Sequence, residues 1–308
     1  MRTPNVRSVD LRLLQVFATI VECRGFTAAQ VELGLSQSTI SSYMAELEAR
    51  LTARLCERGR GGFRLTEEGR LVHEATQRLF RSLDTFASEV GVIRGRLIGE
   101  LHIGMVDNIV SHPECPIPEA FRRFKSRDGD VQLHLHVGAP SEIERAVLDG
   151  RYHLGVGGYT SRAPGLAYLP LFRERQWLYC GARHPLFARP ERRIRTRDIQ
   201  ACDYVRRLYV SDSDLPLSFR GAATAAAENM EAIAHLILSG RFIGFLPVHY
   251  AARWVERGEM RALKPRRITY SSQLELITRR TRPKNAAIDV FLADFLAAAG
   301  LPKQPAAS

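Results

Sequence analysis

The 308-residue chain contains no uninterrupted apolar stretch of ~20 residues, the length a membrane-spanning helix requires. Its amino terminus, MRTPNVRSVDLRLL, lacks the continuous apolar segment of a secretory signal. Cysteine is sparse: Cys23, Cys56, Cys115, Cys180 and Cys202 are odd in number, widely spaced and without a CxxC pair. This argues against a disulfide framework and against a cysteine-built zinc site, and leaves free thiols in a reducing compartment as the expectation. A cytoplasmic protein without membrane contact follows. The sequence also has no serine, cysteine or carboxylate constellation with a specific catalytic signature. GRGGFR (59–64) lacks the lysine of a phosphate loop and is not expected to follow a strand. No fixed-period repeat is present, and the only biased tract is the tail PKQPAAS.

What is present is an ordinary globular composition, 45% hydrophobic and 25% charged, long enough for two or three domains. The formal charge of +11 suits a polyanionic partner. Its distribution does not locate one, since residues 1–96 carry 14 arginines against 11 acids and most of the excess lies downstream. Local clusters have to do that.

Residues 10–22, DLRLLQVFATIVE, place Leu11, Leu14, Phe17, Ala18 and Val21 on one stripe and predict a helix with Asp10 as N-cap. FTAAQVELGLSQSTISSYMAELE (26–48) reads as two short helices broken at Gly34, where a left-handed turn suits glycine. Thr27 with Gln30 fits a capping box for the first, and Ser36 caps the second. Ile40, Met44 and Leu47 anchor that second helix inward, while Gln37, Ser38, Ser41 and Ser42 give it an outer row of short hydrogen-bonding groups. Short amides and hydroxyls let a helix enter a DNA major groove and reach base edges or phosphates, so the pattern predicts a helix-turn-helix with its reading helix over about 37–47. The competing reading is an ordinary solvated face. Arg58, Arg60 and Arg64 surround Gly59, Gly61 and Gly62, a flexible basic loop suited to phosphates or a narrow minor groove. Thr66 then opens a long helix, 67 to about 93, whose stripe of Leu71, Ala75, Leu79, Phe80, Leu83, Phe86 and Val90 calls for a partner helix from a second subunit.

The run FTAAQVELGLSQSTIS…LE…RL…LCERGRGGFRLTEEG resembles the amino-terminal domain of LysR-type transcriptional regulators. The likeness extends in outline over the whole chain. It implies an α/β protein overall, with an all-α winged helix-turn-helix over 1–66, a linker and dimerisation helix over 67–96, and a two-subdomain, periplasmic-binding-protein-like α/β effector domain over 97–308. It further implies a homodimer assembling to a homotetramer, an interrupted palindromic operator in double-stranded DNA, a small-molecule effector, and RNA polymerase as a candidate partner. The base-reading positions of the family match Gln37, Ser38 and Ser41, and Thr27 falls on the accompanying helix. The sequence departs at Ser42, where many members carry arginine, at Ser38, where many carry proline, and at LCER in place of LFER, which assigns Cys56 to a core slot.

The second half alternates short apolar runs with helical patterns, which implies a mainly parallel sheet with helices on both faces. Strands are expected at 101–106, 131–137, 153–158, 204–210 and 242–247. The family resemblance implies crossing strands near 166–174 and 272–278 that divide subdomain I (about 97–168 and 275–300) from subdomain II (about 169–274). A ligand between two such units meets strand ends and helix starts. The candidates are Asp107, Asn108, Ile109, Ser141, Tyr159, Ser211, Glu228 and Asn229. Helices expected to begin near Asn108, Ser141 and Glu228 favour an anion, so a small organic carboxylate is the expected effector, with a zwitterion as runner-up. His134 and His136 share one strand face at chelating distance, but no third ligand is evident nearby, so no metal or cofactor is expected. Two alternatives stay open: a thiol-oxidation-responsive regulator using Cys180 and Cys202, and an enzyme on a binding-protein-like fold.

Overall fold

The computed structural model describes residues 8–59, 62–93, 96–210, 215–216, 219, 223–282 and 284–302. The chain divides into two compact units, Met1–Ala87 and Ser88–Ser308.

The first unit begins with three helices: α1 (Ser8–Glu22), α2 (Phe26–Leu33) and α3 (Gln37–Leu51). Asp10 lies inside α1 rather than capping it, and its carboxylate accepts from Arg50 Nη1 at 2.6 Å, which ties α1 to α3. The expected capping box of Thr27 and Gln30 does not form. Gly25 is the N-cap of α2, so the helix starts a residue early at Phe26 and leaves Thr27 exposed in its first turn. Phe26 is buried there against the edge of Phe63. Gly34 takes the left-handed conformation, φ 61°, that ends α2 without the strain a side chain would bring. Ser36 Oγ then accepts from Thr39 N at 3.2 Å, capping α3 as expected.

Ile40, Met44 and Leu47 are the buried residues of α3, all at 2% exposure or less, packed with Leu13, Val16, Phe17 and Ile20 of α1. One side of α3 is thus committed to the core, which fixes what its other side presents. Strands β1 (Cys56–Gly59) and β2 (Gly62–Leu65) form an antiparallel hairpin, with Cys56 buried in the same core. Thr66 Oγ1 accepts from Gly69 N at 2.9 Å at the start of α4 (Glu67–Ile93). Gly69 is required there: a Cβ on it would stand 1.9 Å from the Leu55 carbonyl oxygen. Farther along α4, Leu71, Leu83 and Phe86 are exposed.

The second unit opens with β3 (Leu97–Met105), α5 (Ile117–Lys125), β4 (Gly129–Val137), α6 (Pro140–Leu148) and β5 (Leu154–Gly157). A long strand, β6 (Leu166–Gly181), leads to α7 (Thr196–Gln200), β7 (Asp203–Arg207), β8 (Ala225–Ala227), α8 (Met230–Leu238), β9 (Phe242–Pro247), α9 (Val248–Glu256) and β10 (Met260–Ala262). A second long strand, β11 (Thr269–Arg279), and α10 (Ala286–Ala298) complete it. The strands form one nine-stranded sheet in the order β4-β3-β5-β11-β6-β9-β7-β8, with β10 on β6.

β3 pairs in parallel with β4 and β5, and β7 pairs in parallel with β8 and β9. These two α/β halves are joined by the antiparallel β6–β11 pair; β6 starts where expected but runs on to Gly181, and β11 is longer at both ends than the sequence suggested. α10 returns to the first half, where Phe291 packs on Phe121 and Phe124 and the buried Asp294 pairs with Arg127. Each half has its own apolar core, around Ile103, Val156 and Phe291 in one and around Leu178, Tyr204 and Phe245 in the other. The seam, where strand ends of both halves meet, is therefore the candidate ligand site.

Candidate functional site

Two surfaces carry the functional candidates. On α3, Gln37, Ser38 and Ser42 are exposed and Ser41 is half-buried. Ser36 Oγ lies 2.8 Å from both Ser38 Oγ and Thr39 Oγ1, so Ser38 is held within the cap rather than swinging freely. In the hairpin, Arg64 is exposed on β2, directly across from Glu57. Arg58 belongs to β1 opposite Phe63, while its side chain and the whole of Arg60 lie outside the described residues. The unit therefore presents a narrow, short-chained polar helix face and a two-stranded wing, suited in size to a major groove and to the backbone beside it.

The second surface is the seam of the larger unit. Asp107, at the end of β3, reaches across it: its Oδ2 accepts from Met230 N at 2.5 Å, and its Oδ1 stands 3.9 Å from Arg207 Nη2. Arg207 ends β7 and is largely buried, and its guanidinium lies 4.9 Å from the Tyr209 ring centre. Several polar atoms here are buried without any hydrogen-bond partner, namely Asn108 Nδ2, Arg207 Nε and Nη2, Tyr209 OH and Gln176 Oε1, as is Tyr159 OH beside Tyr168 in the first half. Burial pushes the Tyr209 and Tyr159 hydroxyls well above the ordinary tyrosine range, so both remain neutral donors.

Beside this cluster, the buried Glu174 of β6 accepts from His249 Nε2 at 2.9 Å and from Gln176 Nε2 at 2.5 Å. His249 Nδ1 is 2.8 Å from Ser111 Oγ, and the His249 ring meets His112 edge-on. Desolvation, with His249 adding to it, holds His112 below the usual histidine range. This chain of contacts links the two halves through His249 of α9.

The sequence candidates fall into distinct places. Asp107, Asn108 and Tyr159 supply polar atoms to the seam or its margin. Ile109 is buried in the core of the first half. Asn108 precedes only a short 3-10 turn, Ile109–Ser111, not the helix expected there. Ser141 is exposed on α6, which starts at Pro140, and the Glu142 carboxylate already accepts from Ala139 N at 3.2 Å. Asn229 is the N-cap of α8, its Oδ1 accepting from Ala232 N at 2.9 Å, and Glu228 beside it is exposed. Ser211 lies outside the described residues.

The helix starts expected to receive an anion are thus met by the protein's own carboxylates: Asp107 at α8 and Glu142 at α6. The residues the sequence did not point to are Arg207, Tyr209, Glu174, Gln176 and His249. One signal for Arg207 was available, since it closes a strand in an open α/β sheet, where ligands gather at carboxyl ends.

The cysteines take no part in this. Cys180 is fully buried, its thiol pushed up to about 12 by burial, and Cys202 donates to the Asp198 carbonyl oxygen. Among the described residues no helix is long and apolar enough to cross a membrane.

A winged helix-turn-helix followed by a two-lobed ligand domain defines a DNA-binding, ligand-responsive transcription regulator. Comparison with known proteins identifies the family: residues 94–300 match the LysR substrate binding domain, and residues 11–70 match the bacterial regulatory helix-turn-helix of the lysR family. The chain belongs to the LysR family of transcriptional regulators, which are not enzymes. It is 43% identical over 295 residues to the HTH-type transcriptional activator BauR of Pseudomonas aeruginosa, covering 94% of this chain and 97% of that protein. Among solved structures, full-length CbnR complexed with its target DNA is similar in fold, with a TM-score of 0.64 at 20% identity over 94% of this chain and 99% of that one. LysG from Corynebacterium glutamicum with bound effector Arg follows at a TM-score of 0.53 and 18% identity, over 95% and 99% of the two chains.

Proposed function

We propose that this regulator binds an interrupted palindromic operator through α3 and the wing of each of two protomers, and that a small organic carboxylate in the seam controls it. Gln37, Ser38 and Ser41 read bases, Ser42 and Thr27 contact the backbone, and Arg58, Arg60 and Arg64 hold phosphates. The absence of an arginine at position 42 shifts affinity toward the wing. The exposed apolar stripe of α4 supports a homodimer through that helix, with a tetramer and contact to RNA polymerase as further assembly. Such a protein works in the cytoplasm.

One observation carries the effector class: Arg207 is a largely buried cation whose Nε and Nη2 make no hydrogen bond, Nη2 standing 3.9 Å from Asp107 Oδ1, and Asn108 Nδ2 and Tyr209 OH are further buried donors without a hydrogen-bond partner. Three such donors, one of them charged, suit a carboxylate. The bare acceptor Gln176 Oε1, with Asp107 and Glu174 nearby, favours a second reading in which the carboxylate belongs to an amino acid. LysG, a relative in fold, has arginine bound as effector. Thiol oxidation as the trigger is opposed by Cys180, whose buried thiol supplies almost no thiolate at neutral pH.

The test is operator binding by full-length protein, followed by fluorescence anisotropy with and without short aliphatic carboxylates, amino acids and hydrogen peroxide. A shift with carboxylates or amino acids and none with peroxide is expected. A response to peroxide alone overturns the effector assignment. A strictly monomeric protein in sedimentation at micromolar concentration overturns the dimer.

A further inference from the structure

We propose that the β3–β4 edge of the effector domain binds a divalent transition-metal ion of the zinc class through Glu100, His102 and His134. The observation begins with register. β3 and β4 run in parallel with His102 opposite His134 and Gly104 opposite His136. Because side chains alternate along a strand, Glu100 and His102 share one face with His134 and His136. Neighbouring sequence offers His134 no third ligand; the adjacent strand does.

The distances are those of a ligand cluster. Glu100 Oε2 lies 2.8 Å from His102 Nε2 and 3.7 Å from His134 Nε2, and one ligand atom from each of the three residues falls within 4.8 Å of the others. His134 Nε2 is buried and makes no hydrogen bond. An ordinary polar strand face accounts for the His102–Glu100 contact. It does not account for a second imidazole nitrogen buried beside the same carboxylate with nothing to bond.

Two imidazole nitrogens and one carboxylate suit zinc better than magnesium or calcium, which prefer all-oxygen shells, and leave a position for water. With metal–ligand bonds of about 2.0–2.2 Å, tetrahedral ligand atoms lie about 3.3–3.5 Å apart, so the cluster needs only a modest contraction. The His102 and His134 rings stack at 4.3 Å with planes 4° apart, and must tilt to aim both lone pairs at one ion.

The surroundings fix the tautomer. A metal on His102 Nε2 leaves that ring's proton on Nδ1, and Nδ1 faces His136 Nε2 at 3.4 Å. His136 is in turn stacked on Tyr152. His136 is therefore a positioning residue whose Nε2 accepts the hydrogen bond from His102 Nδ1–H and orients the ring, the role outer partners play in metal sites. β4 is the sheet edge, so the ion would fasten the outermost strand to β3. β3 runs on to Asp107 and Asn108, yet the metal proposal stands independently of the effector's identity.

The experiment uses full-length protein stripped with a chelator, desalted and titrated with zinc chloride in a calorimeter, alongside the double variant His102→Asn/His134→Asn. Wild type should bind one tight zinc per chain that the double variant loses. His136→Phe should weaken binding ~10–100-fold while keeping the stoichiometry. Cobalt(II) in place of zinc should give a visible spectrum without thiolate-to-cobalt charge transfer, which separates this site from the five cysteines. Zinc should also shield His102 and His134, but not the exposed His235, from diethylpyrocarbonate in the wild type. That mapping decides the matter even where a variant fails to fold. Undiminished zinc binding by the double variant, a thiolate band, or no shielding of His102 and His134 overturns the proposal.

Discussion

On α3, Gln37, Ser38 and Ser42 stand exposed above a face that is fully committed to the core, whereas in the seam of the larger unit Asn108, Arg207 and Tyr209 carry polar atoms that are buried and unpartnered. On the proposed function, the two regions meet their ligands in opposite ways. Water satisfies the exposed α3 groups, and bases would replace it, so these groups cost the fold nothing. The seam groups are already desolvated, and each buried donor without a partner costs the free protein about 1–3 kcal/mol until a ligand supplies an acceptor. Removing a seam group should therefore trade binding against stability. Removing an α3 surface group should affect binding alone.

The largest expected effect breaks the reading face through its support. Ile40→Ala deletes a fully buried anchor and should destabilise the first unit by about 2–5 kcal/mol, with thermal unfolding of that unit separating from the second in calorimetry. An unchanged transition would mean that α3 does not depend on this packing. Next, Arg207→Met should weaken carboxylate binding by about 1.5–3 kcal/mol, read by titration calorimetry, because a charged hydrogen-bonding partner is lost. Undiminished affinity would move the ligand elsewhere.

Gln37→Ala should cost about 1–3 kcal/mol at one base pair of the operator half-site while leaving thermal stability unchanged. Equal affinity for all single-base variants of that half-site by wild type would remove Gln37 from base readout. The smallest effect sharpens the contrast most. Tyr209→Phe should raise the stability of the free protein by about 1 kcal/mol in denaturant melts and weaken the effector, since it removes an unpartnered buried hydroxyl. A destabilised Tyr209→Phe would show that the hydroxyl is satisfied in the free state.

The same contrast explains what the sequence disclosed. Helix α3 was legible because its determinants are local: Gly34, Ser36, the Ile40–Met44–Leu47 spacing and the short polar residues between them all fall within about four turns of chain. Much of the strand and helix order was legible for the same reason, although α7, β8 and β10 were not foreseen, and the return of α10 to the first half came from the family resemblance. Caps were less secure. Asp10 found Arg50 at a distance of 40 residues, and Gly25 started α2 before Thr27 could cap it.

The seam was only half legible, because its chemistry depends on which distant groups satisfy one another. The helix start at Met230 looks like an anion site in sequence, yet Asp107, 123 residues earlier, occupies it. Arg207 looks like one arginine among many, and becomes distinctive only when burial leaves its Nε and Nη2 without hydrogen bonds. The imidazole cluster followed the same rule, since β4 shows two histidines and the register with β3 supplies His102 and Glu100.

The most direct measurement is a paired titration of full-length wild-type protein with the best-binding carboxylate and with its primary amide, identical in size but without charge. Arg207 as the anchor predicts that the acid binds at least ~10-fold more tightly than the amide, the margin expected when a charged hydrogen bond becomes neutral. Equal affinity for acid and amide would contradict the assignment of the seam as a carboxylate site.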